Sequence, residues 1–240
     1  MSTAVPSQSA MLPGVRSWWW IPAAMLMYGA ALAWGLAAKS LGPFAPELSL
    51  DITLSHGRNG ALTGLSQLIN YGIGPAGAMA LLLGICAWLL WGRGRPLQAL
   101  AFGSVVAVGW VSSTIGKILV SRSRPPADAV SALVTETGLD SFPSGHTAFA
   151  TALVLAAVIV LAPTRSHRLS LIVAGAVSVA LVAFSRLYLG VHYLSDVAGS
   201  VVISSAAILA WLPVWNNLIA PRLAGTALIR RFEREQTPAR

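Results

Sequence analysis

The sequence predicts an all-α, polytopic membrane protein with six transmembrane helices, and three observations carry that prediction. Hydrophobic residues fill 55% of the 240 positions. Charged residues fill only 10%, against about 25% in a soluble domain. The apolar positions gather in runs close to the ~20 residues a helix needs to cross a bilayer. The runs leave no room for a separate soluble domain. We therefore read one membrane domain over residues 17–217, a disordered cytoplasmic tail over 1–16 and a basic cytoplasmic tail over 218–240.

The first apolar run goes from Trp18 to Ala38. A secretory leader is the alternative, because Arg16 precedes the run, but leader apolar regions are only ~7–15 residues long. Trp18, Trp19 and Trp20 at one edge suit a membrane–water interface, so the run is read as a retained helix. Further spans are expected at Tyr71–Trp91, Leu97–Val120, His146–Ala162, Leu169–Ser185 and Tyr193–Trp215. Residues 39–70 are more polar. Leu48, Leu50, Ile52 and Leu54 alternate as in a strand, whereas Leu62, Leu65, Leu68 and Ile69 have helical spacing. A lone strand would have no partner, so short helices along the membrane surface are expected.

A six-span path sorts the 16 Lys and Arg residues onto two faces. One receives Arg16, Arg93, Arg95, Arg165, Arg168, Arg222, Arg230, Arg231, Arg234 and Arg240. The other receives Lys39, Arg58, Lys117, Arg122, Arg124 and Arg186. The richer face is placed in the cytoplasm by the positive-inside rule, and the chain in an inner or plasma membrane with both termini cytoplasmic. The net charge of +8 then reflects topology and a binding site, with no need for nucleic acid. Leu228, Ile229 and Phe232 among the tail arginines suit a helix lying on anionic lipid. Cys86, the single cysteine, sits in an apolar run and reads as packing. A cysteine-phosphatase role would need an arginine six residues on, where Gly92 stands.

Ionisable groups at membrane depth are expensive and by default mark function. Three clusters qualify. Lys117 and Arg124 lie two helical turns apart at the exit of the third span, before Pro125 and Pro126. Arg122, between them, fits a snorkelling interface residue. Next, Phe142-Pro143-Ser144-Gly145-His146 precedes the fourth span. There Ser144 suits a helix cap, and Gly145 lets an anion approach the free backbone N–H groups of a helix start. Last, Ser185-Arg186 leads to His192 and Asp196, which are i and i+4 on one helix face. An aspartate on one imidazole nitrogen fixes the tautomer and frees the other nitrogen for attack. Each cluster has a structural alternative: a stop-transfer patch, an ordinary capped helix, a buried His–Asp pair. Their convergence decides, because a six-helix serpentine brings all three to one membrane face. Cations, a helix N-terminus and two histidines there describe a phosphate site with a nucleophile and an acid. No Walker-type loop and no HExxH-type metal spacing is present, so no metal or other cofactor is expected. His56 and His167 read as surface residues in loops.

At these residues the chain resembles the type-2 phosphatidate phosphatase superfamily, the membrane lipid-phosphate phosphatases, which share a core with vanadium haloperoxidases. The family pattern has a lysine shortly before an Arg-Pro pair, then Pro-Ser-Gly-His, then Ser-Arg with histidine and aspartate at set spacings. Lys117 with Arg124-Pro125 matches the first part, and Pro143-Ser144-Gly145-His146 the second. Ser185-Arg186 with His192 and Asp196 matches the third. The resemblance implies six helices, a site facing the periplasm or exterior, and no metal. It implies that Lys117, Arg124, Ser144, Gly145 and Arg186 hold phosphate oxygens. His192 would attack phosphorus, oriented by Asp196, and His146 would protonate the leaving oxygen. A lipid phosphate or diphosphate is the implied substrate, with undecaprenyl diphosphate first, then phosphatidylglycerophosphate and phosphatidate. A transporter or lipid-binding scaffold is the non-enzymatic alternative.

Overall fold

The computed structural model describes residues 12, 15–42, 46–136, 140–224 and 226. They form α1 (Trp20–Ser40), α2 (Leu48–His56), α3 (Gly60–Gly72), α4 (Pro75–Ala87), α5 (Pro96–Val120), α6 (Gly145–Ala156), α7 (Arg165–Tyr188), α8 (Leu194–Val214) and α9 (Ala220–Ala224). Wider π-turns extend α4 over Trp88–Gly92 and α6 over Ala157–Leu161, and join α8 to α9 over Trp215–Ile219. Five helical stretches are long and apolar enough to cross a membrane: Trp20–Ser40, Pro75–Gly92, Pro96–Val120, Arg165–Tyr188 and Leu194–Leu223. The remaining expected span is the shorter apolar helix Gly145–Leu161.

Local chemistry sets the starts. Proline opens α4 and α5, where its missing N–H is no loss. The Thr164 hydroxyl accepts from His167 N at 3.2 Å to cap α7. Asn59 Oδ1 accepts from Leu62 N at 3.0 Å to cap α3. Three expectations shift here, and in the first of them the fifth span runs Arg165–Tyr188 instead of Leu169–Ser185. The second span starts at Pro75 instead of Tyr71, because Gly72-Ile-Gly74-Pro75 breaks the helix and leaves Tyr71 in α3. The last runs beyond Trp215, to Ala224. The stretch 39–70 holds two short helices, as its second pattern suggested, and the strand-like alternation of Leu48 to Leu54 belongs to α2. His56 ends α2 and His167 lies in the first turn of α7, both exposed and on helices instead of loops.

Within the tail expected over 1–16, Leu12 is buried, and its N–H donates to Asn216 Oδ1 at 3.0 Å. Packing of the chain thus begins upstream of the first span. The amphipathic tail around Phe232 lies outside the described residues.

The core sits where α5, α6 and α8 meet, with Phe102, Val105, Val106, Phe149, Ile208 and Trp215 buried together. Large apolar side chains on the outer faces, among them Met25, Leu83, Ile118 and Val173, remain exposed, as a hydrocarbon-solvated surface requires. Gly103, Gly109 and Gly116 lie along α5, where a glycine can permit close packing or leave a gap. They serve packing: added Cβ atoms would lie 3.2 Å from Cys86 Sγ, 2.7 Å from Ala152 Cβ and 2.9 Å from Pro143 Cδ, respectively.

Phe142 and Pro143 are the wedge that fixes the loop before α6. Phe142 is buried between α1 and α8, where a Cβ on Gly35 or Gly199 would come within 2.5 Å or 2.4 Å of its ring. Pro143 fills the socket at Gly116. Overfilling a packed contact costs ~1–3 kcal/mol. Gly199→Ala should therefore lower the thermal midpoint in detergent, followed by tryptophan fluorescence. Adding Phe142→Leu should recover part of the loss, and two strictly additive losses would contradict the wedge.

Candidate active site

His192 is positioned by the turn between α7 and α8. Gly190 there has φ of +75°, and a Cβ on it would meet Val130 Cγ2 at 2.8 Å, so only glycine allows the turn. Four residues on from His192, Asp196 lies on the first turn of α8, fully buried. His192 Nδ1 is 3.4 Å from Asp196 Oδ2. On the other side of the ring, Nε2 lies 3.3 Å from Arg124 Nη1. A guanidinium only donates, so Nε2 presents its lone pair and the proton belongs on Nδ1, which lies at ion-pair distance from the carboxylate but makes no hydrogen bond in this geometry. Burial, reinforced by the charges of Arg124 and Lys117, holds the imidazole well below its usual pKa range. The ring is neutral at physiological pH.

Asp196 is held by much more than His192. Arg122 Nη1 donates to its Oδ1 at 2.8 Å. Tyr193 N donates to Oδ2 at 2.8 Å, and Ser141 Oγ donates to the same oxygen. Arg122 in turn donates to Glu47 Oε1 at 2.5 Å and to Ser195 Oγ at 2.5 Å. Its guanidinium lies 4.0 Å from the centre of the Tyr193 ring. Arg122 is only 2% exposed, which corrects its reading as a snorkelling residue. It is a buried counterion.

A cavity of about 250 Å³ opens in front of His192, lined by Lys117, Arg124, Glu136, Gly145 and His146 among others. Lys117 Nζ donates to Asp140 O at 2.5 Å, and Arg124 Nη1 to Val191 O at 2.8 Å. The first turn of α6 faces the cavity, and open space surrounds the position a Cβ would take on Gly145. His146 Nε2 lies 3.2 Å from Asn70 O; a carbonyl only accepts, so this nitrogen carries a proton. Arg186 is buried beside the cavity. It donates through Nη1 to Asn70 Oδ1 at 2.5 Å and through Nη2 to Glu136 Oε1. Arg124 Nη2 is 3.7 Å from the other Glu136 oxygen.

Of the eight residues singled out in the sequence, Lys117, Arg124, Gly145, His146 and His192 line this one cavity. Arg186 joins them through Glu136, and Asp196 stands behind His192. Ser144 departs from expectation. It occupies the cap position of α6 but makes no side-chain cap bond, and its buried hydroxyl accepts from Thr147 Oγ1 at 3.3 Å. Glu47, Asn70, Glu136 and Ser141 were missed. Glu47 and Glu136 carried a signal, since only eight acids occur in the chain and both lie in segments flanking the spans. Among the described residues, no three His, Cys, Asp or Glu side chains converge as metal ligands would.

Residues 98–220 match the family profile described as the PAP2 superfamily. The chain belongs to that superfamily. Over 141 residues it is 34% identical to a decaprenylphosphoryl-5-phosphoribose phosphatase of Mycolicibacterium smegmatis, covering 59% of this chain and 72% of that protein. Its fold is similar to the crystal structure of a transmembrane PAP2 type phosphatidylglycerolphosphate phosphatase from Bacillus subtilis. The TM-score is 0.59 at 21% identity, over 92% of this chain and all of the other. The PAP2 relatives are phosphatases, and the chain is a multi-helix membrane protein of that phosphatase family.

Beside the site, Asp51 of α2 is fully buried, and neither carboxyl oxygen has a hydrogen-bond partner. Burial, together with the negative charges of Glu47 and Asp196, pushes its pKa up to about 8. The unfolded chain would ionise it near ~3.9. The folded state is thus progressively disfavoured as pH rises from about 4 to about 8, and no further above that. Asp51→Asn should raise the thermal midpoint, with a gain that grows between pH 5 and 8 and then levels. A gain independent of pH would show that Asp51 does not titrate in this way.

Proposed function

We propose that this protein removes the terminal phosphate from a membrane lipid through a phosphohistidine on His192, without a metal. The observation that carries the reading is the orientation of His192, whose Nδ1 backs onto Asp196 at 3.4 Å while Nε2 faces the cationic cavity. Lys117, Arg124, Arg186 and the Gly145 amide take the roles of binding and stabilising the equatorial oxygens, which is the main demand of phosphoryl transfer. Ser144 acts indirectly, because its hydroxyl accepts from Thr147 and its N–H donates to Asp196 O, and it thereby fixes the start of α6 that presents Gly145. His146, entering the step as the imidazolium, turns its Nε2 proton from Asn70 O to the leaving oxygen, and the neutral ring left behind takes a proton from the water that attacks the phosphohistidine. Asp196 stabilises the charge that forms on His192.

The shorter helix Gly145–Leu161 serves as the sixth span in this reading. Its length is ~26 Å at 1.5 Å per residue, near the ~30 Å of a hydrocarbon core. The site then faces the periplasm or exterior, with both termini in the cytoplasm, a reading supported by the way a six-span path distributes the Lys and Arg residues of the sequence. A cysteine at exposed Ala127 should react with an impermeant thiol reagent on intact cells after Cys86 is replaced, and one at Ser166 should not. The opposite labelling pattern would place the site in the cytoplasm.

Relatives named for decaprenylphosphoryl-5-phosphoribose and phosphatidylglycerolphosphate support a lipid that ends in a phosphate. Undecaprenyl diphosphate, favoured from sequence, and phosphatidate are the other candidates. Phosphate release by the purified protein in detergent, from a panel of these lipids, tests the reading. His192→Ala should lower turnover by about 10³-fold or more with little loss of folded protein, and vanadate should inhibit. His146→Ala should cost about 10²–10⁴-fold on lipid esters and much less on p-nitrophenyl phosphate, whose leaving group needs no acid. Near wild-type turnover in His192→Ala would falsify the nucleophile, and activity lost to EDTA and restored by a divalent ion would refute the metal-free mechanism. No release from any lipid would favour a scaffold.

A further inference from the structure

A second cavity, of about 300 Å³, adjoins the first and shares Pro75, Glu136 and His146 with it. We propose that this cavity seats the leaving group of a phosphomonoester whose alcohol carries free hydroxyls, and that Glu136 selects such an ester over a diphosphate. The inference rests on the phosphatase reading above and names the substrate class for that site.

The placement follows from the direction of the reaction. Attack from His192 Nε2 expels the oxygen on the opposite side of phosphorus, in line. His146 is the proton donor to that oxygen, so whatever the oxygen is bonded to lies beyond His146. The second cavity is what lies there. It exists partly because position 74 has no side chain. A Cβ on Gly74 would stand 2.8 Å from Asn70 O and 3.9 Å from His146 Nε2, in the gap itself.

The lining sets the chemistry. Asn70, Tyr71, Thr135 and Glu136 are the polar residues of a lining that also includes Pro75, Ala76 and Val134. Asn70 uses its Oδ1 on Arg186, which leaves its NH₂ as a donor. Glu136 is acceptor-only when ionised. Burial alone would raise its pKa, but Arg186 and Arg124 outweigh that and hold it below the usual carboxylate range.

In the resting site Glu136 lies between the two arginines that the mechanism assigns to phosphate. When a phosphate takes those arginines, the carboxylate is left needing donors. Alcohol hydroxyls next to the ester supply them as charge-assisted hydrogen bonds. A second phosphate group in the same place offers none and adds like charge, so it is disfavoured. One residue thus favours the first kind of leaving group and opposes the second.

The test uses the full-length protein in mixed micelles. It compares kcat/KM for phosphatidylglycerophosphate, whose leaving alcohol bears a free hydroxyl beside the ester, and for undecaprenyl diphosphate. The wild type should favour the former by about tenfold or more, and Glu136→Gln should shrink that ratio about fivefold or more, chiefly by improving the diphosphate. A wild type that cleaves the diphosphate as well or better overturns the proposal. So does an unchanged ratio in Glu136→Gln. If Glu136→Gln is not recovered folded, Glu136→Asp keeps the charge and must keep the direction of preference, and its reversal counts against the proposal. Release of phosphate from neither lipid by the wild type would instead overturn the phosphatase reading on which this one stands.

Discussion

The arrangement depends above all on one buried carboxylate. Asp196 is fully buried, and a charge in such a place must be matched by donors or it is not tolerated. It accepts from Arg122, Ser141 and the Tyr193 amide, and its backbone carbonyl accepts from Ser144 N at 3.3 Å. Those partners come from the chain after α5, the loop before α6 and the start of α8. Glu47, from the segment before α2, completes the set by pairing with Arg122 and accepting from Ser195 N at 2.8 Å. Removing any single partner leaves the others uncompensated, which is the costly way to break a buried ion pair. His192 inherits its position from this network, because the turn that carries it leads directly into Asp196.

The cations of the cavity are held differently. Lys117 and Arg124 rest on backbone carbonyls, and Arg124 also reaches Glu136 at 3.7 Å. Arg186 is tied to the amide of Asn70 and to Glu136. A field built from fixed charges needs little reorganisation when a phosphate arrives, and that preorganisation is how such sites lower barriers. The division of labour is plain: a saturated carboxylate behind the histidine, and in front of it three cations, two of which share the single carboxylate of Glu136.

Hydropathy and spacing were enough to read most of this from the sequence. Five of the expected spans appear as long apolar helices and the sixth as a shorter one, because hydrocarbon imposes a length that composition reveals. The misplaced start of α4 came from counting Tyr71 as part of an apolar run, when Gly74-Pro75 held the better signal for a helix start. Residues with chemistry close together in sequence, such as His192 and Asp196, were legible from helical periodicity. Arg122 was not, since its counterion lies 74 positions away and nothing local announces it. Glu136 was hidden for the same reason, in a loop whose path is set by distant partners, among them Arg58 on the carbonyls of Val130 and Ser131 and Leu189 O on Leu133 N. Ser144 stands for a different limit: its position was right, but the competing hydroxyl of Thr147 decided where its side chain points.

The helix ends explain why these side chains gather at one end of the molecule. The C-termini of α1, α5 and α7 meet there, each with a partial negative charge from its unpaired carbonyls. Lys39 Nζ donates to Val120 O at 2.8 Å, and Arg58 Nη2 to Tyr188 O at 2.9 Å. The basic residues Lys39 and Arg58 are therefore matched to helix ends. The N-termini of α6 and α8 meet at the same end and call for anions. At α8 the anion is built in, as Asp196 in the first turn. At α6 the first turn holds no acid and opens past Gly145 into a cavity lined in part by Lys117 and Arg124, which is where the proposed reading puts the phosphate.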